Sequence, residues 1–309
     1  MGIVVIGTAF VDIKGFPEDA YIPTGRNVGR VEYIHGGVAR NVVEDIANVE
    51  LRPTYLGIVD DSPMGKDVLD KLRKHKVNCD YVLTQPDGLG LWLAVFDNNG
   101  DVAGSISKRP NGYPLVELLE RKGDEIFATA DSVVLQVDLH KDIVKKVYEL
   151  AEKYRTKLFA VVSNMSIAAE RRDFLQKFDC FICNQQEAGL LFLDDYEEKT
   201  PEEMRDILSD RVIRANIPAM VVTMGGDGSV YADRNGDKGI CPARPVQVKD
   251  TTGAGDAFCA GVSIGLTYGK TLQESVNIGT YLAASVITSS ENVCPRFLPE
   301  ELGLSVKFE

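Results

Sequence analysis

Short apolar runs rich in β-branched residues alternate with amphipathic helical stretches over most of the chain. Strands that are apolar on both faces and separated by helices are typical of a parallel sheet covered on both sides. The predicted strands lie at residues 3–6, 54–59, 132–137, 158–162, 180–183 and 220–224. The predicted helices lie near residues 38–49, 64–75, 141–154, 168–177 and 201–214. The sequence therefore predicts an α/β fold with a mostly parallel central sheet.

Two segments interrupt this alternation. Residues 11–35 are extended and rich in turns, and residues 89–109 have the pattern of a hairpin whose turn is Asn98-Asn99-Gly100-Asp101. We interpret residues 11–35 and 89–110 as a small β lid. Residues 1–10, 36–88 and 111–309 then form the main domain. The sequence alone does not distinguish a lid from ordinary edge strands of the main sheet.

Composition restricts the class of protein. The net charge of −12 argues against a nucleic-acid or anionic-membrane partner. A phosphate ligand would need backbone N–H groups, a helix N-terminus or a metal ion. No apolar run approaches the ~20 residues of a membrane helix, and the six cysteines lack a disulfide spacing. We expect a cytoplasmic protein with free thiols.

The stretch Asp250-Thr-Thr-Gly-Ala-Gly-Asp-Ala-Phe258 joins a predicted strand to a predicted helix. Its small residues let backbone N–H groups approach an anion at the positive end of a helix dipole. Asp256 adds a carboxylate beside that anion site. A carboxylate there suits phosphoryl transfer, since it can take a proton from an acceptor hydroxyl. The alternative is a plain first-turn acid, with the glycines chosen for packing.

This stretch resembles the C-terminal signature of the PfkB (ribokinase-like) family of ATP-dependent sugar and nucleoside kinases. Gly36-Gly-Val-Ala-Arg-Asn41 resembles the family's N-terminal signature. The resemblance runs end to end and implies a three-layer α/β/α sandwich with a small β-sheet lid. It implies that Asp256 is the catalytic base. Gly253, Ala254 and Gly255 would bind the γ-phosphoryl group.

The same resemblance assigns further residues, one position at a time. For the acceptor it implies Asp12, Gly36, Gly37, Asn41 and Asp138. For ATP it implies Asn184, Thr223, Gly225, Gly228 and Thr280. Glu187 would hold Mg²⁺ through water, while Asp250 and Thr252 would bind a monovalent cation, usually K⁺. In many relatives the lid also forms a homodimer interface, which makes a homodimer plausible here.

The sequence does not identify the phosphoryl acceptor. Val38 and Arg40 depart from the usual ribokinase-like motif and resemble the form found in pseudouridine kinases, so we expect a sugar or ribonucleoside, with pseudouridine first. Arg40 could instead point to solvent from the first helical turn. Trp92 and Phe96 share a face of the predicted lid strand, where they could cover a substrate ring or pack against each other.

Three other functions stay open. A non-catalytic sensor could retain the same pocket, although the intact Asp256 and glycine turn argue against it. A nicotinamide-dependent dehydrogenase should carry GxGxxG after a strand, and the chain has none there. An ADP-dependent kinase of the same fold would differ only in the phosphoryl donor.

Overall fold

The computed structural model describes residues 2–164, 166 and 169–306. Within them, fourteen strands form three sheets. In chain order the strands are β1 (Gly2–Ile6), β2 (Phe10–Pro17), β3 (Gly29–Gly36), β4 (Thr54–Leu56), β5 (Ile58–Val59), β6 (Leu83–Thr84), β7 (Gly90–Phe96), β8 (Val102–Lys108), β9 (Ala130–Gln136), β10 (Lys157–Val161), β11 (Cys180–Asn184), β12 (Ala219–Thr223), β13 (Ser229–Asp233) and β14 (Lys238–Cys241).

The central sheet has eight strands in the order β14-β13-β12-β11-β10-β9-β1-β4. All pairs from β4 to β12 are parallel, and β13 and β14 add an antiparallel edge. Successive residues of β1 enter different cores: Ile3 and Val5 pack in one, Val4 and Ile6 in the other, and all four are fully buried. This alternation is the reason why the strand has no polar face.

Eight α-helices lie within the described residues. They are α1 (Val38–Asn48), α2 (Pro63–Lys74), α3 (Pro114–Phe127), α4 (Lys141–Tyr154), α5 (Gln185–Phe192), α6 (Pro201–Arg214), α7 (Ala254–Thr267) and α8 (Leu272–Ile287). Local signals fix several of their starts: at α6, the Thr200 side chain accepts from the Glu203 N–H, and Pro201 occupies the first turn. None of these helices is long and apolar enough to span a membrane.

The second sheet has four strands in the order β3-β2-β7-β8 and contains both segments that interrupt the helix–strand alternation. β7 and β8 form the predicted hairpin. β2 pairs with β7 in parallel, so that Asp12 lies opposite Trp92. These four strands pair only with one another within the described residues, which makes them a sheet of their own rather than edge strands of the central sheet.

The secondary-structure prediction was wrong at three places and missed other elements. The strand predicted to lead into the Asp250–Phe258 stretch is absent, since residues 242–248 form no strand. The strand predicted at 54–59 is two strands, because β5 leaves the central sheet after Gly57 and pairs with β6. The helix predicted at 168–177 is a 3₁₀ helix at Ala169–Lys177, and residue 168 lies outside the described residues. Helices α3 and α5 were missed.

Candidate active site

The glycine turn before α7 has the geometry that its sequence indicated. Gly253 is the N-cap of α7 and lies in the left-handed region with φ of 81°. A Cβ at this position would lie 1.9 Å from the Asn292 carbonyl oxygen. Glycine is therefore required for both backbone conformation and space. Asp256 lies in the first turn of the helix.

The three residues predicted to bind a phosphoryl group differ in their surroundings. The Ala254 N–H donates to the Thr251 carbonyl at 3.2 Å, so that an anion would compete with this turn. A Cβ on Gly255 would meet no atom within 4 Å, which leaves open space beside its backbone. The first N–H groups of a helix have no acceptor within the helix and are available to an anion.

A cavity of about 700 Å³ lies beside this turn, between the second sheet and the carboxyl ends of central strands. Thr8, Asp138 and Ser163 follow β1, β9 and β10 and line it. Ligands of α/β proteins commonly bind at this edge of the sheet. The predicted residues that line the cavity are Asp12, Gly37, Asn41, Asp138, Thr252, Gly253 and Asp256.

Asp256 and Asn41 are in direct contact. The Asn41 Nδ2 donates to the Asp256 Oδ2 at 2.6 Å. Burial raises the pKa of Asp256 to about 7, although the Asn41 hydrogen bond and the Arg40 charge oppose this shift. The side chain still reaches the cavity wall. A carboxylate with a pKa near neutrality is well matched to accept a proton from a hydroxyl.

Arg40 is buried rather than solvent-exposed, which corrects the alternative that placed it in water. Its side chain has no exposed surface. Nη1 donates to Glu44 Oε2, and Nη2 donates to the His35 carbonyl at 2.8 Å and to Asn41 Oδ1. A buried guanidinium requires such partners, because an unpaired charge in the core is costly.

Asp12 lies on β2 against the residues of the N-terminal glycine motif. A Cβ on Gly36 would lie 2.8 Å from both Asp12 carboxylate oxygens, and a Cβ on Gly37 would lie 2.8 Å from the Thr8 carbonyl. Gly37 also has φ of 93°. The two glycines thus let the chain pass close to Asp12 and Thr8 at the cavity wall.

Asp138 follows β9 and is held by two donors. The Ser163 N–H donates to Oδ1 at 3.1 Å, and Gln136 Nε2 lies 3.4 Å from Oδ2. Burial raises the pKa of Asp138 more than these contacts lower it. Its carboxyl group therefore has a fixed position at the cavity edge.

None of the residues predicted to bind ATP lines the cavity. Asn184 and Thr223 end β11 and β12 and are paired in register. Gly225 and Gly228, with φ of 56° and 93°, make the turn after β12. Thr280 on α8 is buried, donates to the Val276 carbonyl at 3.0 Å and lies 3.3 Å from the Cys241 sulfur.

Asn184 and Glu187 form a capping box at the start of α5. The Asn184 side chain accepts from the Glu187 N–H at 2.7 Å, and Glu187 Oε2 accepts from the Asn184 N–H at 2.8 Å. This contact fixes the Glu187 carboxylate. Burial, reinforced by the charge of Asp138, raises the pKa of Glu187.

Asp250 and Thr252 contact each other in the turn before α7. The Thr252 N–H donates to Asp250 Oδ1 at 2.8 Å. Burial acts to raise the pKa of Asp250, but the Thr252 hydrogen bonds and the Lys14 charge outweigh it, and the pKa is lowered. Asp250 is therefore an ionised oxygen donor next to the glycine turn.

Four further residues at the site were not predicted. Asn292 Nδ2 donates to the His35 carbonyl at 2.6 Å, and Gln136 Oε1 accepts from the Thr8 N–H at 3.0 Å. Tyr113 and His140 line the cavity with their rings edge to face, 5.2 Å apart. The position of His140, two residues after Asp138 beyond a buried strand, was a usable signal.

A second cavity of about 580 Å³ shares none of these predicted residues. It lies between α1, α2 and residues 289–296. Its rim carries charges of both signs, and several are already paired, such as Lys76 with Glu50 at 3.1 Å. The residues assigned to phosphoryl transfer therefore favour the first cavity as the active site.

Comparisons with known proteins agree with this interpretation. A family model described as pfkB family carbohydrate kinase matches residues 2–294. Guanosine-inosine kinase of Exiguobacterium acetylicum is 35% identical over 292 residues, which cover 94% of this chain and 95% of that protein. Pseudouridine kinase of Escherichia coli is 25% identical over 276 residues, which cover 89% of this chain and 86% of that protein.

The fold is also shared with solved structures. A structure of ribokinase from Arabidopsis thaliana complexed with ribose and ATP has a TM-score of 0.81 and 19% identity, and the match covers 97% of each chain. This likeness confirms the predicted α/β fold with a mostly parallel sheet and a smaller second sheet.

Proposed function

The chain belongs to the pfkB family of carbohydrate kinases, and we propose that it uses Mg·ATP to phosphorylate a primary hydroxyl of a ribonucleoside. Members of this family are phosphotransferases with an alcohol group as acceptor. Guanosine and inosine are the first candidates, since the 35% identical relative is named for them. Pseudouridine, which the Val38 and Arg40 positions favour, comes next.

The side chains that line the cavity are the main reason for proposing a nucleoside as the phosphoryl acceptor. Asp12 and Asn41 supply the acceptors and donors that sugar hydroxyls need. Trp92, Tyr113 and His140 supply aromatic surface in the same cavity. A ribose joined to a flat base matches both features, and the volume of about 700 Å³ leaves room for the base.

The residues around Asp256 support transfer to a hydroxyl. Asp256 would take the hydroxyl proton as the acceptor oxygen bonds to the γ-phosphorus. The bond from that phosphorus to the β–γ bridging oxygen breaks, and ADP leaves. N–H groups at Gly253 and Gly255 would stabilise the charge on the transferred group at the α7 N-terminus.

The acidic residues around the site fit a magnesium ion. Burial is the main cause that raises the pKa values of Asp138, Glu187 and Asp256. The charge of Asp138 also raises the pKa of Glu187, and the charge of Glu187 also raises that of Asp256. Among the residues with described coordinates, no three His, Cys, Asp or Glu side chains form a direct metal cluster. Mg²⁺ commonly uses one or two carboxylates together with water and phosphate oxygens. Glu187 would hold it through water, and bound Mg²⁺ would neutralise phosphate charge.

We propose K⁺ as the ion that Asp250 and Thr252 bind. The lowered pKa keeps Asp250 ionised, and oxygen donors suit an alkali cation. Replacing K⁺ by tetramethylammonium should lower kcat. An unchanged kcat in the K⁺-free buffer would remove this part of the proposal.

The second sheet would act as a lid and pair two copies of the chain. Tyr33, Ile13, Leu93 and Ile106 are successive partners across the sheet, and three of them are exposed: Tyr33 (61%), Leu93 (43%) and Ile106 (69%). An apolar row of this kind favours a protein contact. Light scattering of the wild type and Ile106→Glu tests it: a monomeric wild type would contradict pairing.

The test of function is ADP release from Mg·ATP with guanosine, inosine, adenosine, pseudouridine, ribose, fructose and 2-keto-3-deoxygluconate. We expect the highest kcat/KM on guanosine or inosine. Trp92→Ala should raise KM for the nucleoside more than KM for ATP, because it removes aromatic surface from the acceptor cavity. Turnover on a free sugar alone would contradict the nucleoside proposal, and ATP binding without turnover on any acceptor would favour a sensor.

A further inference from the structure

Arg40 connects Glu44, its partner in a buried ion pair, to Asn41, which contacts the proposed base Asp256. Nη1 donates to Glu44 Oε2 one turn along α1, and Lys71 Nζ lies 3.3 Å from the other Glu44 oxygen. Both Arg40 and Glu44 side chains have no exposed surface. The guanidinium is planar and charged at all working pH values, so the pair anchors it in one orientation.

The anchored guanidinium determines how the Asn41 amide is turned. Nη2 of Arg40 donates to Asn41 Oδ1. Because a guanidinium can only donate, the amide atom that faces it must be the oxygen. The Asn41 nitrogen then faces Asp256 and donates to Oδ2 at 2.6 Å. Rotated by half a turn, the amide would set its NH₂ against the guanidinium and its oxygen against the carboxylate, with both contacts repulsive.

Resting on the proposed role of Asp256 as base, we propose that Arg40 is a positioning residue for phosphoryl transfer, because its guanidinium holds the Asn41 amide in the orientation that presents Nδ2–H to Asp256. Asn292 braces the same arrangement: its Oδ1 lies 3.3 Å from Arg40 Nη2, and its Nδ2 donates to the His35 carbonyl. The Asp256 Oδ2 atom is held by its hydrogen bond from Asn41, which leaves Oδ1 to accept the proton of the substrate hydroxyl.

The charges that face Asp256 make a pH readout informative. Arg40, Asn41 and Asp45 belong to α1, Asp12 to β2 and Glu187 to α5. Of these, the Asn41 hydrogen bond and the Arg40 charge lower the pKa of Asp256, while Asp12 and Glu187 raise it. Loss of Arg40 removes both lowering effects. The acid limb of the pH profile of kcat/KM should therefore move to higher pH.

The experiment is a double-mutant cycle between Arg40 and Asn41 in a Glu44→Gln background. Glu44→Gln with Arg40→Met removes both buried charges together, so neither is left uncompensated. We expect Arg40→Met to lower kcat by about 10-fold or more and to move the acid limb upward by about half a pH unit or more. In the Asn41→Ala background, Arg40→Met should lower kcat by no more than about twofold further, since its route to Asp256 is already cut.

Two controls separate positioning from folding. Glu44→Gln alone keeps the contact between Arg40 and Asn41 but removes the charge that anchors Arg40, so it is the reference with which the kcat and pH profile of Arg40→Met in the same background are compared. Arg40→Lys keeps the charge but cannot bridge Glu44 and Asn41 at once, so kcat should fall while the acid limb moves less than in Arg40→Met. The fraction of sites that bind ATP normalises each kcat and removes losses due to misfolded protein.

The outcomes distinguish this inference from the proposed function. Fully additive effects of Arg40→Met and Asn41→Ala, or an unmoved pH profile after loss of Arg40, would overturn the positioning role while the kinase assignment stands. Retained turnover in Asp256→Asn would overturn the base assignment on which the inference rests.

Discussion

The amide of Asn41 donates to the carboxylate of Asp256 at 2.6 Å, across 215 residues of sequence. One residue ends the N-terminal glycine motif on α1, and the other lies in the first turn of α7. The two motifs that resemble family signatures are therefore parts of one site. A substitution at either residue should alter the environment of the other, because a buried hydrogen bond to a charged group is strong.

Asp256→Asn should lower kcat by about 10²- to 10⁴-fold, since the amide cannot take the proton of the acceptor hydroxyl. Nucleotide binding should persist, because the N–H groups of the glycine turn are unchanged. Steady-state kinetics and ATP titration measure the two effects. Glu202→Gln, an exposed acid in the first turn of α6, is the matched control and should leave kcat unaltered. A variant with more than a tenth of wild-type kcat would show that Asp256 is not the base.

The pH profile of kcat/KM should show an acid limb with a midpoint near the Asp256 pKa of about 7. The carboxylate must be ionised to accept a proton, so activity should rise as pH increases through this value. Burial is the largest cause of the raised pKa. Initial rates between pH 5 and 9 at saturating Mg·ATP test this expectation. A profile that stays flat down to pH 5, as an aspartate with an ordinary pKa near 4 would give, would contradict it.

Asp256 should also make folding pH-dependent. Its pKa is about 7 in the folded protein against an ordinary value of 3.8. Between these values the folded state binds a proton that the unfolded state has lost, so the stability associated with this group falls as pH rises towards 7. Since the side chain reaches the cavity wall, Asp256→Asn should stabilise the protein at pH 8 by only about 1 to 2 kcal/mol.

Urea unfolding of the wild type and Asp256→Asn at pH 4.5 and pH 8 measures this effect. The stabilisation by Asp256→Asn should be smaller at pH 4.5 than at pH 8, because pH 4.5 lies only slightly above the ordinary value of 3.8 and the difference accumulates as pH rises from 3.8 towards 7. The variant should gain at pH 8. If wild type and Asp256→Asn had equal free energies of unfolding at both pH values, burial would not destabilise the charged form of Asp256 in the folded protein.

Sequence periodicity predicted the fold where strands and helices pack on the central sheet. β1 has no polar face because both of its faces meet a core, and that pattern is visible without coordinates. Helix α3 was missed, although Pro114 precedes apolar residues at helical spacing, such as Leu115, Leu118 and Leu119. The split after Gly57 depends on pairing with β6, a contact that no local pattern reports.

The site could be predicted only as far as its motifs extend. Asp256 and Asn41 were found because they stand in recognisable glycine-rich stretches. Arg40 was ambiguous, because a first-turn arginine is usually solvated, and its burial follows from Glu44 and Asn292 closing around it. Spacing of four between Arg40 and Glu44 hinted at the pair. Asn292 contacts Asn41 although the two residues are 251 positions apart in the sequence, and no sequence pattern indicates this contact.

Two glycines of the same turn should respond differently to alanine. Gly253 has φ of 81°, and an added Cβ would lie 1.9 Å from the backbone oxygen of Asn292. Gly253→Ala should therefore lower the free energy of unfolding by about 2 to 4 kcal/mol through strain and overpacking. A Cβ added at Gly255, which lies within α7, would meet no atom within 4 Å. Gly255→Ala should keep or slightly raise stability, because alanine is the better helix former.

Activity then separates the two roles of this turn. The methyl group of Gly255→Ala would stand where the backbone is open to the transferred phosphoryl group, so kcat should fall although the fold is intact. Urea unfolding together with kcat, normalised to the fraction of ATP-binding sites, measures both quantities for each variant. Wild-type kcat in Gly255→Ala would show that the anion is bound elsewhere. Wild-type stability in Gly253→Ala would show that the Asn292 loop can move away, and the glycine requirement at the N-cap of α7 would no longer hold.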